Sequence, residues 1–395
     1  MDHLIDYIQW MADVPFSAYP LQDADALVLS FLSYYELTPL FEGGEKPVYL
    51  KDSLKLLEDG DVRAMLVGRD RGFRAILEAA ASSRRFGELR LSDYVDLRRA
   101  EPPLQFAAIT FHGEDFSFLA FRGTDGSIAG WKEDFMISFT VTEAQKLAEE
   151  YAKRIIQENR GYYIGGHSKG GNLALCAACG LSDEPLEKVR RVFLLDGPGL
   201  CPEVMDTSTI RRIEPRTTRI IPTFSVVGEL FAPEISDSRI VHSSAAGLVQ
   251  HSLDTWGIDH GKLFLAQEPS PRSRWVNETL SRWIEGISQE DRAVFVQELF
   301  DALTADGAET LEDIEAQGAG GFEAILARLF SASDVTRKTI YALPKRAILG
   351  EHYDAISQMG LSSWLRQRFQ DWQAQRVARK EESSGQIEEE DEGES

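Results

Sequence analysis

The residues best suited to chemistry in this chain gather around one pentapeptide, Gly166-His167-Ser168-Lys169-Gly170. A serine spaced between two glycines in this way is the pattern of a nucleophile elbow. A serine hydroxyl attacks a carbonyl only with help. It needs a base to take its proton, an acid to orient the base, and two donors for the oxyanion that forms. The pentapeptide alone is a weak signal, because long glycine-containing chains hold such patterns by chance. Its flanks decide its meaning.

Those flanks fit. Tyr162-Tyr163-Ile164-Gly165 reads as a short buried strand. Gly171 and the small-residue run Asn172-Leu173-Ala174-Leu175-Cys176-Ala177 read as an apolar helix. A strand, a sharp glycine turn and a helix would hold the serine at strained backbone angles and push its hydroxyl out above a sheet. The start of the helix adds a positive field for developing negative charge.

Further elements must frame this turn. Gln105–Thr110 and Phe116–Phe121 are rich in β-branched and aromatic residues and are joined by His112-Gly113-Glu114-Asp115, so they predict a hairpin. Residues 142–160 predict a helix with Ala144, Leu147, Tyr151 and Ile155 on one face. Val192–Leu195 and Ile220–Val227 predict two more buried strands. Strands alternating with helices imply a parallel sheet covered on both faces. Residues 1–100 read as helical and loop-rich, packed on the core. After about residue 268 only helical patterns remain, with a boundary at Gln267-Glu268-Pro269-Ser270-Pro271. The expected organisation is therefore 1–100, a catalytic core over 101–267, a helical region over 268–380 and an acidic disordered tail over 381–395.

Candidate partners follow from chain order and strand ends. One oxyanion donor is the backbone N–H of Lys169, which follows the nucleophile. The other is assigned to Thr124, in Phe121-Arg122-Gly123-Thr124, which closes a strand upstream of the elbow. In this fold the order along the chain is serine, acid, histidine, which leaves His242, His251, His260 and His352. His251 sits in a turn-like stretch after an apolar segment and is preferred, with His242 as the alternative. Asp196 ends the strand Val192–Leu195, at the edge where parallel sheets build sites, and is the preferred acid. Glu229, after the next strand, is its rival, and Asp237 and Asp254 stay open.

These motifs carry a resemblance. Phe121-Arg122-Gly123-Thr124, Trp131, Asp134 and Gly166-His167-Ser168-Lys169-Gly170-Gly171 resemble the pattern of class 3 (fungal-type) lipases. The chain resembles still more closely a bacterial family related to those lipases. That likeness includes Asp6-Tyr7-Ile8-Gln9-Trp10, Asp196-Gly197-Pro198-Gly199 and Gln250-His251-Ser252-Leu253-Asp254-Thr255-Trp256, and spans roughly residues 1–265. It implies an α/β-hydrolase fold and a serine hydrolase, points to the segment around His251, and supplies no substrate. Class 3 lipases take their acid from the later strand end, where this chain has Gly228-Glu229-Leu230-Phe231. The resemblance also suggests an Arg122–Asp134 pair steadying the oxyanion loop, and a lid over 126–139, for which a core-packing loop is the plain alternative.

Composition excludes several other classes. The 395 residues are 43% hydrophobic and 27% charged, enough for a real core. A net charge of -22 argues against a nucleic-acid partner, which needs a basic face. The stretch after Lys380 holds eight acids and no bases. Three cysteines do not make a disulfide framework, and Cys176-Ala177-Ala178-Cys179 reads as core packing. The N-terminus shows no secretory pattern and no window reaches the ~18 apolar residues of a membrane span, so a cytoplasmic protein is expected. The last helical stretch, with Leu361, Leu365, Phe369 and Trp372 on one stripe, could touch a membrane but is expected to dock on protein.

The expected function is cleavage of a carboxylic ester, lipid or small molecule, by Ser168, His251 and Asp196, with no metal and no cofactor. A thioesterase, amidase or acyltransferase would use the same site, and an inactive binding or scaffold protein would keep only the fold.

Overall fold

A computed structural model describes residues 2–42, 47–59, 70–99, 104–124, 132, 136–137, 141–200, 207–270, 273, 288–308 and 318–342. Trp131, Asp134, Cys201, His352, residues 274–287 of the expected helical region, most of the lid expected over 126–139, the last helical stretch and the tail lie outside these residues. The chain forms two compact units, Met1–Ser281 and Arg282–Ser395.

The first unit is built on a nine-stranded sheet. Its strands are β1 (Val48–Tyr49), β2 (Arg90–Arg99), β3 (Leu104–His112), β4 (Phe116–Phe121), β5 (Gly161–His167), β6 (Val189–Leu195), β7 (Thr217–Pro222), β8 (Ser238–Val241) and β11 (Leu265–Ala266), in that spatial order. β9 (Ile258–Asp259) and β10 (Lys262–Leu263) form a separate small ribbon. β4 to β8 run parallel, and both edges are antiparallel. The hairpin over β3 and β4 and the buried strands β5 and β6 fall where the sequence puts them, while β7 ends at Pro222 and overlaps only the start of the expected Ile220–Val227. β2 does not: it lies in a stretch read as helical and loop-rich. Its run Arg90-Leu91-Ser92-Asp93-Tyr94-Val95 is polar and irregular, with a register shift between Ser92 and Val95, so no clean alternation marks it.

The central strands are buried on both faces, which accounts for their lack of polar alternation. Along β4, Phe118 and Ala120 join one apolar cluster while Leu119 and Phe121 join the other. Along β6, Phe193 and Leu195 face the first, and Val192 and Leu194 the second. The second cluster is roofed by the crossover helices Glu143–Ile155, Lys169–Cys179 and Thr207–Ile213. That follows from strand order. Parallel neighbours laid down in sequence, each with a right-handed crossover, send every helix to one face. The other face is covered by the N-terminal helices Leu4–Met11, Asp23–Leu32 and Asp70–Ser82, together with Leu253, Trp256 and Ile258. This parallel sheet, wound around a strand–turn–helix at the end of β5, is an α/β-hydrolase fold. Among the described residues no helix is long and apolar enough to cross a membrane.

A buried ion pair ties the N-terminal cover together. Asp25 lies inside the largely apolar helix Asp23–Leu32, and neither its side chain nor that of Arg85 is exposed. The Arg85 guanidinium donates to both Asp25 oxygens, at 2.7 and 2.6 Å, and to the carbonyls of Val14 and Tyr19. Tyr7 Oη and the Gln22 amide complete the carboxylate's partners, and Phe16 lies under the guanidinium.

In the second unit, the helices Gln289–Thr304, Gly318–Ser331 and Asp334–Ala342 pack on one another. Ser288 caps the first by accepting from the Asp291 amide, and Glu298 accepts from Ser333 at the head of the last. The first unit runs past the boundary expected at 267–271. Ser270 N donates to the Thr223 carbonyl, and Ser273 bonds reciprocally with Ser225, so this stretch is tied into the sheet domain.

Removing one partner of a buried pair strands the other charge without water. Arg85→Met or Asp25→Asn is therefore expected to destabilise the protein by about 3–5 kcal/mol. Urea denaturation of each variant against the wild type measures this.

Candidate active site

Strand register brings the candidate residues to one edge of the sheet. Phe121 pairs with Gly166, His167 with Leu195, and Leu195 with Ile220. The residues just beyond these pairs all leave from the carboxyl ends of neighbouring parallel strands: Thr124 after β4, Ser168 after β5, Asp196 after β6 and Ser225 after β7. In open parallel sheets that edge is where ligands are handled.

Ser168 sits between β5 and the helix Lys169–Cys179 at φ 58°, ψ -129°, a conformation costly to a residue with a side chain. Close packing holds it there. A Cβ on Gly166 would come within 2.3 Å of the Gly170 carbonyl oxygen, and one on Gly170 within 2.1 Å of that of Phe121. Both glycines of the motif are thus steric requirements. The Ser168 amide donates to the Leu195 carbonyl at 3.0 Å, and its own carbonyl accepts from Gly171 and Asn172. Lys169 is the first residue of the helix, where amides point away from the helix body. Thr124 is half-buried.

Asn172 is the one strongly polar side chain in the body of this helix, and it links the elbow to the next strand end. Its amide nitrogen donates to the carbonyls of Gly199 and Pro198, and its oxygen accepts from Gln145. The turn after Asp196 is thereby fixed to the helix that follows Ser168.

The structure joins His251 and Asp196. Nδ1 of His251 donates to Oδ2 of Asp196 at 2.6 Å; a carboxylate only accepts, so that nitrogen carries the proton and Nε2 is left as a base. Asp196 is buried and, like Ser168, has a positive φ, 41°. Its other oxygen accepts from the Ser225 hydroxyl at 2.5 Å, and Ser225 in turn accepts from the Gly228 amide. The His251 segment is locked from both sides. Gln250 Oε1 accepts from Thr223 and from the Phe224 amide, while the buried Trp256 ring donates to the Gln250 carbonyl.

The other candidates are engaged elsewhere. Glu229 pairs with Arg219 at 3.1 Å. Asp237 is bound by Arg191, Arg239 and Thr218. His242 stacks on Phe264, with centroids 4.6 Å apart, and His260 is exposed beside Asp259. Asp254 accepts from Ser252. Arg122, for which the sequence suggested Asp134, forms a two-pronged pair with Asp96 of β2 at 2.9 and 2.8 Å. Cys176 and Cys179 are buried thiols in the helical core, and burial pushes Cys179 up to about 12, so neither is poised to react.

Sequence reasoning did not find Ser225, Gln145, Asn172 or Tyr34. Asn172 had a local signal, a strongly polar residue on an apolar helix. Tyr34, Gln145 and Ser225 are far along the chain from their partners and carry none.

A family model described as Mbeg1-like matches residues 80–301. No curated protein matches the sequence. Similar solved structures include the Rhizomucor miehei lipase propeptide complex, with 14% identity, covering 64% of this chain and 75% of that one at a TM-score of 0.35. M37 lipase is 13% identical, with 85% and 98% covered at 0.33. A mutant form of MDLA from Penicillium cyclopium is 14% identical, with 67% and 87% covered at 0.35. At such scores the fold assignment rests on strand order and the elbow, not on these likenesses.

Two histidines, the buried His167 and the half-buried His112, make stability depend on pH. Burial holds the His167 ring well below the usual imidazole value and brings His112 down to about 4. In the unfolded chain both titrate near 6.5. Below that pH the unfolded state binds protons that the folded state refuses. Stability is thus expected to be full above about pH 6.5 and to fall as the pH drops, by up to about 1.4 kcal/mol per pH unit for His167 and by less for the solvent-screened His112. Urea midpoints from pH 7 to 5 would show the slope, and His167→Gln or His112→Gln should each flatten it.

Proposed function

The chain belongs to the Mbeg1-like family, and we propose that it is a serine hydrolase that cleaves a carboxylic ester through an acyl-enzyme on Ser168. The observation that carries this reading is the 2.6 Å His251–Asp196 hydrogen bond, at the same sheet edge as a serine held at positive φ. Here a histidine with its Nδ1 already committed to a carboxylate lies on that edge.

In this mechanism Nε2 of His251 takes the Ser168 proton as Oγ attacks the ester carbonyl. The Lys169 amide and Thr124 donate to the resulting oxyanion. As the intermediate collapses, His251 returns the proton to the leaving alcohol and the acyl group stays on Oγ. Water, deprotonated by the same nitrogen, then releases the acid and restores the serine. Asp196 holds the imidazole in the required tautomer, and Ser225 satisfies its second oxygen. The substrate class is an ester of a lipid or small molecule.

A fluorophosphonate probe is expected to label Ser168 and no other serine, with Ser168→Ala as the control. Folded protein that resists labelling would overturn the proposal. Asp196→Asn should lower the labelling rate by about 10³–10⁴-fold. Glu229→Gln should stay within a few-fold of wild type, and the reverse order would move the acid to Glu229.

A further inference from the structure

The histidine before the nucleophile has two partners that the proposed mechanism does not use. His167 is 3% exposed and lies against His251, ring centroids 4.5 Å apart. Its Nε2 is 2.8 Å from the backbone carbonyl oxygen of His251, and its Nδ1 is 2.8 Å from Tyr34 Oη. Building on the proposed reading, we infer that His167 is a positioning residue for His251, and that Tyr34 fixes the tautomer in which it can act.

The assignment of protons follows from what each atom can do. A carbonyl oxygen only accepts, so Nε2 of His167 must carry a proton. A neutral ring then has a bare Nδ1, which only accepts, so Tyr34 donates to it. Burial favours the neutral ring, as its depressed pKa reflects. In the other tautomer, the Nε2 lone pair would face the His251 oxygen with no proton between them. There the Tyr34 hydroxyl would have to accept from Nδ1 and send its own proton to the His167 carbonyl 3.4 Å away, a poorer bond than the one it donates to a bare Nδ1 at 2.8 Å.

The consequence is geometric. Asp196 fixes the His251 side chain, and His167 fixes its backbone. His167 is bonded directly to Ser168, so the second anchor places the base relative to the nucleophile itself. An error of about 1 Å in such a placement can cost on the order of 100-fold in rate. Tyr34 follows the N-terminal helix Asp23–Leu32 and lies before the residues that the family model matches. The N-terminal cover would thus contribute to the site as well as to the core.

Fluorophosphonate inactivation tests this without a known substrate. His167→Leu is expected to lower the maximal inactivation rate by about 10–100-fold while the probe's apparent affinity stays within about three-fold. His167→Gln, whose amide nitrogen can reach the same carbonyl, should recover most of that loss even if both variants are equally destabilised. In ¹⁵N spectra of the imidazoles, wild-type His167 should have a protonated Nε2 and a bare Nδ1, and Tyr34→Phe should give a mixture. A folded His167→Leu that inactivates at the wild-type rate, or a wild-type ring protonated on Nδ1, would overturn the inference. Wild-type protein that is never labelled at Ser168 would instead overturn the hydrolase reading, and the ¹⁵N spectrum would still judge the tautomer.

Discussion

The arrangement of this molecule depends on one constraint: five parallel strands, β4 to β8, lie side by side in the order in which they are made. Their crossovers can roof only one face. The strands are apolar on both, as the two clusters along β4 and β6 show. Something outside the winding must therefore cover the second face, and in this chain it is the N-terminal segment. Exposed strand surface of this kind would otherwise be an aggregation hazard. The buried Asp25–Arg85 pair belongs to this requirement. It costs desolvation, but it fixes how loops and helices of the cover meet, through carbonyls at Val14 and Tyr19 that have few other ways to be satisfied.

The same register sets the candidate site. Ser168 and Asp196 each follow a residue of the pair His167–Leu195, so they emerge side by side. Both have positive φ, and each such residue costs about 1–3 kcal/mol. Their amides repay part of that strain by closing onto the neighbouring strands, Ser168 to Leu195 and Asp196 to Ile220. The strain is thus shared across three adjacent strand ends, which stiffens the edge on which the proposed chemistry takes place.

How much of this was legible follows from how local each signal is. The elbow was readable because its strand, its glycines and its helix are consecutive. β5, β6 and β7 were readable because burial on both faces leaves continuous apolar runs. β2 was hidden by its polar residues and its irregular register. The Tyr34–His167 contact spans 133 residues and the Ser225–Asp196 contact 29, and no periodicity encodes either. A hydroxyl that satisfies a buried group looks the same in sequence as one on a surface. The polar residues inside largely apolar helices, Asp25 and Asn172, do carry a local signal, since a helix rarely buries such a group without a partner, but that signal names no partner.

Why the carboxylate beside His251 is Asp196 rather than Glu229 can be argued from satisfaction of its oxygens. A buried carboxylate has two oxygens to satisfy, and the imidazole takes only one. At the end of β6 the second oxygen finds Ser225, whose hydroxyl is oriented by the Gly228 amide. At Glu229 the carboxylate meets Arg219, a buried guanidinium that also donates to the Gly228 carbonyl. Freeing Glu229 for the histidine would leave that cation without its counter-charge. The loop after β7 is therefore better used as a donor than as the source of the acid. Its two polar contacts, Ser225 to Asp196 and Glu229 to Arg219, hold that division in place.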